Sequence, residues 1–145
     1  RMTDLQAAIG REQLKRLPEI IDSRRTLART YGEHLAGRNG IEAPFEPAWA
    51  RSNWQSYCVR LEPEADQRAV MQALLDIGIS TRRGVMNTHL EPAYAAAGSY
   101  RAAGTLARSE AAQREAIMLP LFAQMTVEQV QAVSTALGEV VSQLG

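Results

Sequence analysis

Apolar residues in the first third of the chain recur at three- and four-residue steps. Thr3 and Gln6 are spaced for a capping box, each side chain bonding the other residue's backbone N–H, so a helix is signalled from its first turn. Leu17, Ile20, Ile21, Leu27, Ala28, Tyr31 and Leu35 then lay one apolar stripe along a helical surface. Pro18 removes a backbone donor and disfavours helical angles at Leu17, so the pattern predicts a helix that kinks or ends there and a second that follows. Gly37 and Asn39-Gly40 supply the stop. Residues 41–52, with Pro44, Pro47 and little periodicity, read as an extended connection.

Residues 55–61 change period. Tyr57, Val59 and Leu61 alternate with Cys58 and Arg60, the mark of a strand covered on at least one side. Over 63–77, Val70, Leu74 and Ile77 share a helical face, with Pro63 near the start and Gly78 just past the end. A short second strand is predicted over 79–82, a short helix over 91–97 with loop around it, and a helix over 106–115. The latter leads into a third strand, 117–119, that Pro120 closes. Thr126 and Gln129 form another capping box, and Val130, Val133, Leu137, Val140 and Leu144 carry a terminal helix. Short strands between helices, with no Gly-rich turn after a strand, predict an α+β fold with a small sheet covered by helices, not a nucleotide-binding Rossmann unit.

Composition narrows the function classes. At 145 residues the chain fits one ordinary domain, and sixteen basic residues balance sixteen acidic ones, so no net field favours nucleic acid or an anionic membrane. No apolar run approaches a membrane span. Cys58 is the one cysteine, which excludes an internal disulfide and a Cys-rich zinc cluster and fits a reducing, cytoplasmic setting. Lys15 is the one lysine, placed in a polar helical turn where a solvated role is ordinary. An Arg1 followed directly by a helix cap, with no loosely ordered lead, gives the expectation that the chain is a piece of a longer one.

The opening segment Arg1-Met2-Thr3-Asp4-Leu5-Gln6-Ala7-Ala8-Ile9-Gly10, with Gln13-Leu14 and Arg16-Leu17 after it, resembles the start of the C-terminal portion of the DegT-type nucleotide-sugar aminotransferases. The resemblance continues through Trp54-Gln55-Ser56-Tyr57-Cys58-Val59-Arg60-Leu61, Gly78-Ile79-Ser80-Thr81-Arg82-Arg83-Gly84, His89-Leu90-Glu91-Pro92-Ala93-Tyr94 and Leu119-Pro120-Leu121-Phe122. It implies the small domain of a fold-type-I aminotransferase, a three-stranded antiparallel sheet covered by helices. Long linking helices over 1–36 would enter an α+β body over 41–145 and a C-terminal helix would close it. It also implies pyridoxal phosphate (PLP) in the parent enzyme, a nucleotide sugar and an amino donor as substrates, and a homodimer. The larger domain and its Schiff-base lysine would lie outside these residues, so this chain alone is expected to bind no cofactor and to be inactive.

Each candidate residue carries two readings. His89 is either a structural histidine or, as the resemblance implies, a substrate contact. Arg82 and Arg83 are either a solvated pair or a forked grip on a carboxylate or phosphate. Asn53 and Trp54, ahead of the main strand, are either ordinary packing or, by resemblance, substrate-side residues. Arg1 is either a frayed end or the cofactor-binding arginine that the family sends across a dimer interface toward the partner's PLP phosphate; the asparagine that should precede it is missing. Tyr57 and Gln6 read as structural, and the pairs Glu62/Glu64 and Glu110/Glu115 as solvated helix-edge carboxylates. The competing whole-chain reading is a stand-alone, non-catalytic helical α+β module for oligomerisation or binding. Leu5, Ile9 and Leu14 are expected to form an exposed apolar patch.

Overall fold

The computed structural model describes residues 2–94, 96 and 100–145. Helix α1, Asp4–Leu35, opens on the expected capping box: Thr3 N–H donates to Gln6 Oε1 at 2.9 Å and Gln6 N–H to Thr3 Oγ1 at 3.3 Å. It does not stop at Pro18 to let a second helix begin; one helix of 32 residues runs through the proline. Proline forfeits a single ladder bond, while the cap before it and the packed turns after it hold both flanks helical. Burial begins only at Leu27 and continues through Ala28, Tyr31 and Leu35. The first half stays in solvent, with Leu5, Ile9 and Leu14 exposed, as expected of that patch.

Strand β1, Ile41–Glu42, falls in what reads as an extended connection, so the sheet has four strands, not three. Two residues carry no period to read. Gly40, at φ 77°, delivers the chain to β1, and a Cβ there would meet Val141 Cγ1 at 2.8 Å. Strand β2, Tyr57–Leu61, alternates as expected, with Tyr57, Val59 and Leu61 buried. Helix α2, Gln67–Asp76, starts after the expected 63 because Asp66 is the stronger cap, its carboxylate accepting from Arg68 and Ala69 N–H at 2.9 and 3.0 Å. Strand β3 is Arg82–Arg83, displaced from 79–82. Ile79 N–H instead bonds Leu74 O at 2.8 Å, closing the end of α2. A 3-10 turn at Pro92–Tyr94 occupies part of the expected 91–97 helix; residues 95 and 97 lie outside the described ones. Helix α3, Ala107–Glu115, feeds β4, Ala116–Leu119, and α4, Val127–Leu144, is capped by Thr126 and Gln129 as its sequence signals.

The strand order is β1-β2-β4-β3, antiparallel at every pairing, with Tyr57 opposite Leu119 and Arg82 opposite Met118. One face carries the core: Tyr57, Val59, Leu61, Ile117 and Leu119 meet Leu27, Tyr31 and Leu35 of α1, Val70 and Leu74 of α2, and Val130, Val133 and Leu137 of α4. Tyr31 stacks on Tyr57 at 4.7 Å, and its hydroxyl donates to Pro120 O at 2.8 Å. Among the described residues no helix is long and apolar enough to cross a membrane.

Two substitutions test this core. Tyr31→Phe leaves the Pro120 carbonyl without its donor and is expected to cost about 1–2 kcal/mol in urea unfolding. Leu137→Ala, at a position with no solvent exposure, is expected to cost about 2–5 kcal/mol. A Tyr31→Phe chain as stable as the parent would remove the hydroxyl from the account.

Candidate functional site

Because β2 and β3 both pair antiparallel to β4, they run in the same direction and begin at the same end of the sheet. The residues just before β2, Asn53 and Trp54, and the first residue of β3, Arg82, therefore lie toward that end, on strands separated by β4, with Arg82 level with Cys58 through Met118. Arg82 and Arg83 point to opposite faces of the strand, since neighbours on a strand alternate. Arg83 takes the helix-covered side, opposite Ile117, and Arg82 the other, opposite Met118. One anion cannot engage both forks.

The segment ahead of β2 is held from α1. Arg25 forks onto Glu46, with Nη1 to Oε1 at 2.8 Å and Nη2 to Oε2 at 3.0 Å, and its Nη1 also donates to Ser52 O at 2.5 Å. Ser52 N–H completes the ring by donating to Glu46 Oε1 at 2.5 Å. Arg24 Nη1 donates to Trp54 O at 3.0 Å and Gln55 O at 2.7 Å. Within this grip Trp54 sits at φ 48°, the one non-glycine at positive φ among the described residues. Its ring lies 5.5 Å from that of Tyr57. Between α1 and this segment opens a cleft of about 780 Å³ lined by Arg25, Arg29, Glu33, Glu46, Trp54 and Tyr57. Asn53 faces a different, more apolar cleft with Leu14, Leu17, Ile21 and Arg51, and its Oδ1 accepts from Gln55 N–H at 3.1 Å.

His89 is engaged by α3. Its Nε2 lies 3.0 Å from Glu110 Oε1 and its ring 5.5 Å from that of Tyr100, and the side chain is only 11% exposed. Asn87 anchors the same turn to α3, donating its N–H to Gln113 Oε1 at 2.6 Å and its Nδ2 to Ser109 O at 2.9 Å, while Ser109 Oγ bonds Asn87 Oδ1. Reading Glu110 and Glu115 as solvated helix-edge carboxylates is therefore a mistake. Glu110 holds His89, and Glu115 is buried against Arg60 Nη2 at 2.7 Å. Sequence spacing misses the Arg24, Arg25, Glu46 and Ser52 grip as well; its one local signal is an Arg-Arg pair on a helix about to enter the core. Arg1 lies outside the described residues.

The electrostatics favour holding over proton transfer. The Arg25 fork, with help from Ser52 N–H, keeps Glu46 below the usual carboxylate range. Burial pushes the Tyr57 phenol up to about 12 and raises the Cys58 thiol. None of these groups is poised to exchange a proton near neutrality. Lys15 is exposed on α1, its Nζ 2.6 Å from Glu12 Oε1, and lines none of these clefts. The chain's one lysine thus lies away from the clefts described above, and no group of three or more His, Cys, Asp or Glu among the described residues could hold a metal ion.

The family model described as the DegT/DnrJ/EryC1/StrS aminotransferase family matches residues 1–138. The chain is 31% identical over 132 residues to dTDP-4-dehydro-2,3,6-trideoxy-D-glucose 4-aminotransferase of Saccharopolyspora spinosa, covering 90% of this chain and 32% of that protein. It is 31% identical over 143 residues to GDP-perosamine synthase of Caulobacter vibrioides, covering 97% of this chain and 38% of that one. Among solved structures, S. venezuelae DesV superposes with a TM-score of 0.87 at 29% identity, over 100% of this chain and 38% of that chain. This chain thus spans about a third of the length of the relatives it matches.

The Arg25–Glu46 clamp predicts an acid-side stability loss. Glu46 is held low in the fold and is ordinary when unfolded, so its contribution is complete above the usual carboxylate range and is lost as pH falls through that range to the lowered value. Urea unfolding between pH 7 and pH 3 is expected to show that loss in the parent and a shallower one in Glu46→Gln. Parallel pH profiles for the two would mean the clamp contributes nothing.

Proposed function

The chain belongs to the DegT/DnrJ/EryC1/StrS aminotransferase family, and from that membership we propose that it is the C-terminal small domain of a nucleotide-sugar aminotransferase. The parent enzyme moves an amino group from a donor such as glutamate to a ketosugar carried on a nucleotide, in the cytoplasm and as a homodimer. The observation that carries this reading is the family match along nearly the whole chain, together with relatives whose names state aminotransfer or aminosugar synthesis on dTDP- and GDP-linked sugars.

PLP supplies the amino-group chemistry when bound in the parent. The lysine that anchors it belongs to the remainder of that protein, because Lys15 is on a solvent-facing turn, paired with Glu12. This chain's work is recognition. Residues 41–145 form a wall of the substrate cleft and 1–36 the link to the larger domain. Asn53, Trp54 and Arg82, at one end of the sheet, contact the nucleotide sugar. His89, tied to Glu110, lines the adjoining surface, and Arg1 reaches toward the cofactor phosphate of a partner subunit. Arg82, the cation at the end of the sheet, makes no ion pair among the described residues and can take an oxygen of the substrate in a charge-assisted bond.

The test uses the full-length protein encoded by the gene, with glutamate and dTDP- or GDP-linked 4-ketosugars, following 2-oxoglutarate release. Arg82→Ala is expected to raise KM roughly 10- to 100-fold, the value of one charge-assisted hydrogen bond, while leaving PLP absorbance unchanged. The 145-residue chain by itself is expected to give neither turnover nor a stable PLP absorbance band. Turnover by the isolated chain, or none by the full-length protein with either sugar class, would refute the functional reading; an unchanged KM in Arg82→Ala would refute only the contact assigned to it.

A further inference from the structure

A second cleft, about 370 Å³, lies between α2 and the outer edge of the sheet. Arg68 and Gln72 line it from α2, and Ser80, Thr81 and Arg83 from the segment that enters β3. No carboxylate lines it. Among the described residues neither Arg68 nor Arg83 makes an ion pair. The acids on α2 and at its cap are otherwise engaged: Asp66 Oδ1 accepts from the Arg68 and Ala69 N–H groups, and Asp76 accepts from Gln72 Nε2 at 2.7 Å.

The arrangement is electrostatically one-sided. Arg68 stands in the first turn of α2, where the helix dipole disfavours positive charge, and it shares the cleft with a second guanidinium. Thr81 Oγ1 is buried away from solvent with no hydrogen-bond partner among the described residues, so the hydroxyl that this cleft offers is that of Ser80, which is exposed.

We propose that this cleft is a phosphate-class anion site, gripped from two walls by Arg68 and Arg83, with Ser80 supplying a hydroxyl. A carboxylate presents two oxygens in one plane and is satisfied by a single guanidinium fork. An extended group such as a diphosphate presents oxygens to both walls and uses both forks. The cleft lies on the helix-covered side of β3, the side away from Arg82, and it stands on this chain alone, whatever reaction the parent performs.

The test is an amide-resolved NMR titration of the 145-residue chain at low salt with inorganic pyrophosphate and, separately, with L-glutamate. Saturable shifts are expected for Arg68, Thr81 and Arg83 with pyrophosphate, and weaker binding of glutamate. Arg68→Ala and Arg83→Ala, folded by circular dichroism, are each expected to lose roughly tenfold in affinity, while Arg16→Ala on the exposed half of α1 is expected to match the parent. Absence of saturable shifts, affinity unchanged in both cleft variants, an equal loss in Arg16→Ala, or glutamate binding as tight as pyrophosphate would each overturn the assignment.

Discussion

The position of Tyr31 sets the geometry of everything around it. It is fully buried, stacks on the first residue of β2 and donates its hydroxyl to the carbonyl that follows β4. A buried phenol that must keep its hydrogen bond fixes both the depth and the rotation of the helix that carries it. Arg24 lies seven residues earlier, close to two turns, and so shares the Tyr31 face. That phase brings the adjacent guanidiniums of Arg24 and Arg25 over the entry to β2. The core contact and the grip on residues 52–55 are consequences of one helical register.

Magnitudes explain why Trp54 can be held in a conformation that a bulky side chain rarely adopts. A non-glycine residue at positive φ costs on the order of 1–3 kcal/mol. Two charge-assisted bonds from Arg24 onto consecutive carbonyls contribute about 1.5–3 kcal/mol each before solvent screening. The Ser52 hydroxyl adds a bond to Trp54 N–H at 3.0 Å, and the Tyr57 ring supports the indole. The grip outweighs the strain, so the turn is over-determined and its aromatic ring is presented in one orientation.

What the sequence disclosed follows from the range of each interaction. Both capping boxes join residues three apart, and the alternation of 57–61 and the stripe of α4 repeat within a few residues, so spacing alone reveals them. The continuity of α1 through Pro18 is settled by packing that begins nine residues further on, at Leu27. The two-residue β1 exists only through its pairing with Leu61 and Arg60. The shift of β3 has a similar origin, since Ile79 is claimed by the end of α2. Asn53, Trp54 and Arg82 are separately noticeable, but their common end of the sheet is a property of strand order. The divergence of Arg82 and Arg83 follows from alternation once the strand is known to start at Arg82 instead of 79. Arg25 and Glu46, twenty-one residues apart, and Arg60 and Glu115, fifty-five apart, leave no local trace.

Charge balance carries this distinction from fold to recognition. With sixteen residues of each sign the chain has no long-range field, so attraction for an anion depends on which cations remain uncommitted at short range. Arg24 is occupied by carbonyls, Arg25 by Glu46 and Ser52, and Arg60 by Glu42 and Glu115. These arginines fix loops and strands, and their charge is cancelled or screened where it stands. Arg68, Arg82 and Arg83 have no such partners among the described residues, and strand alternation sends the last two to different faces. The two proposed anion contacts therefore fall on opposite faces of β3. The sequence supplies the arginines, and the pairings decide which of them build the fold and which keep an uncompensated charge.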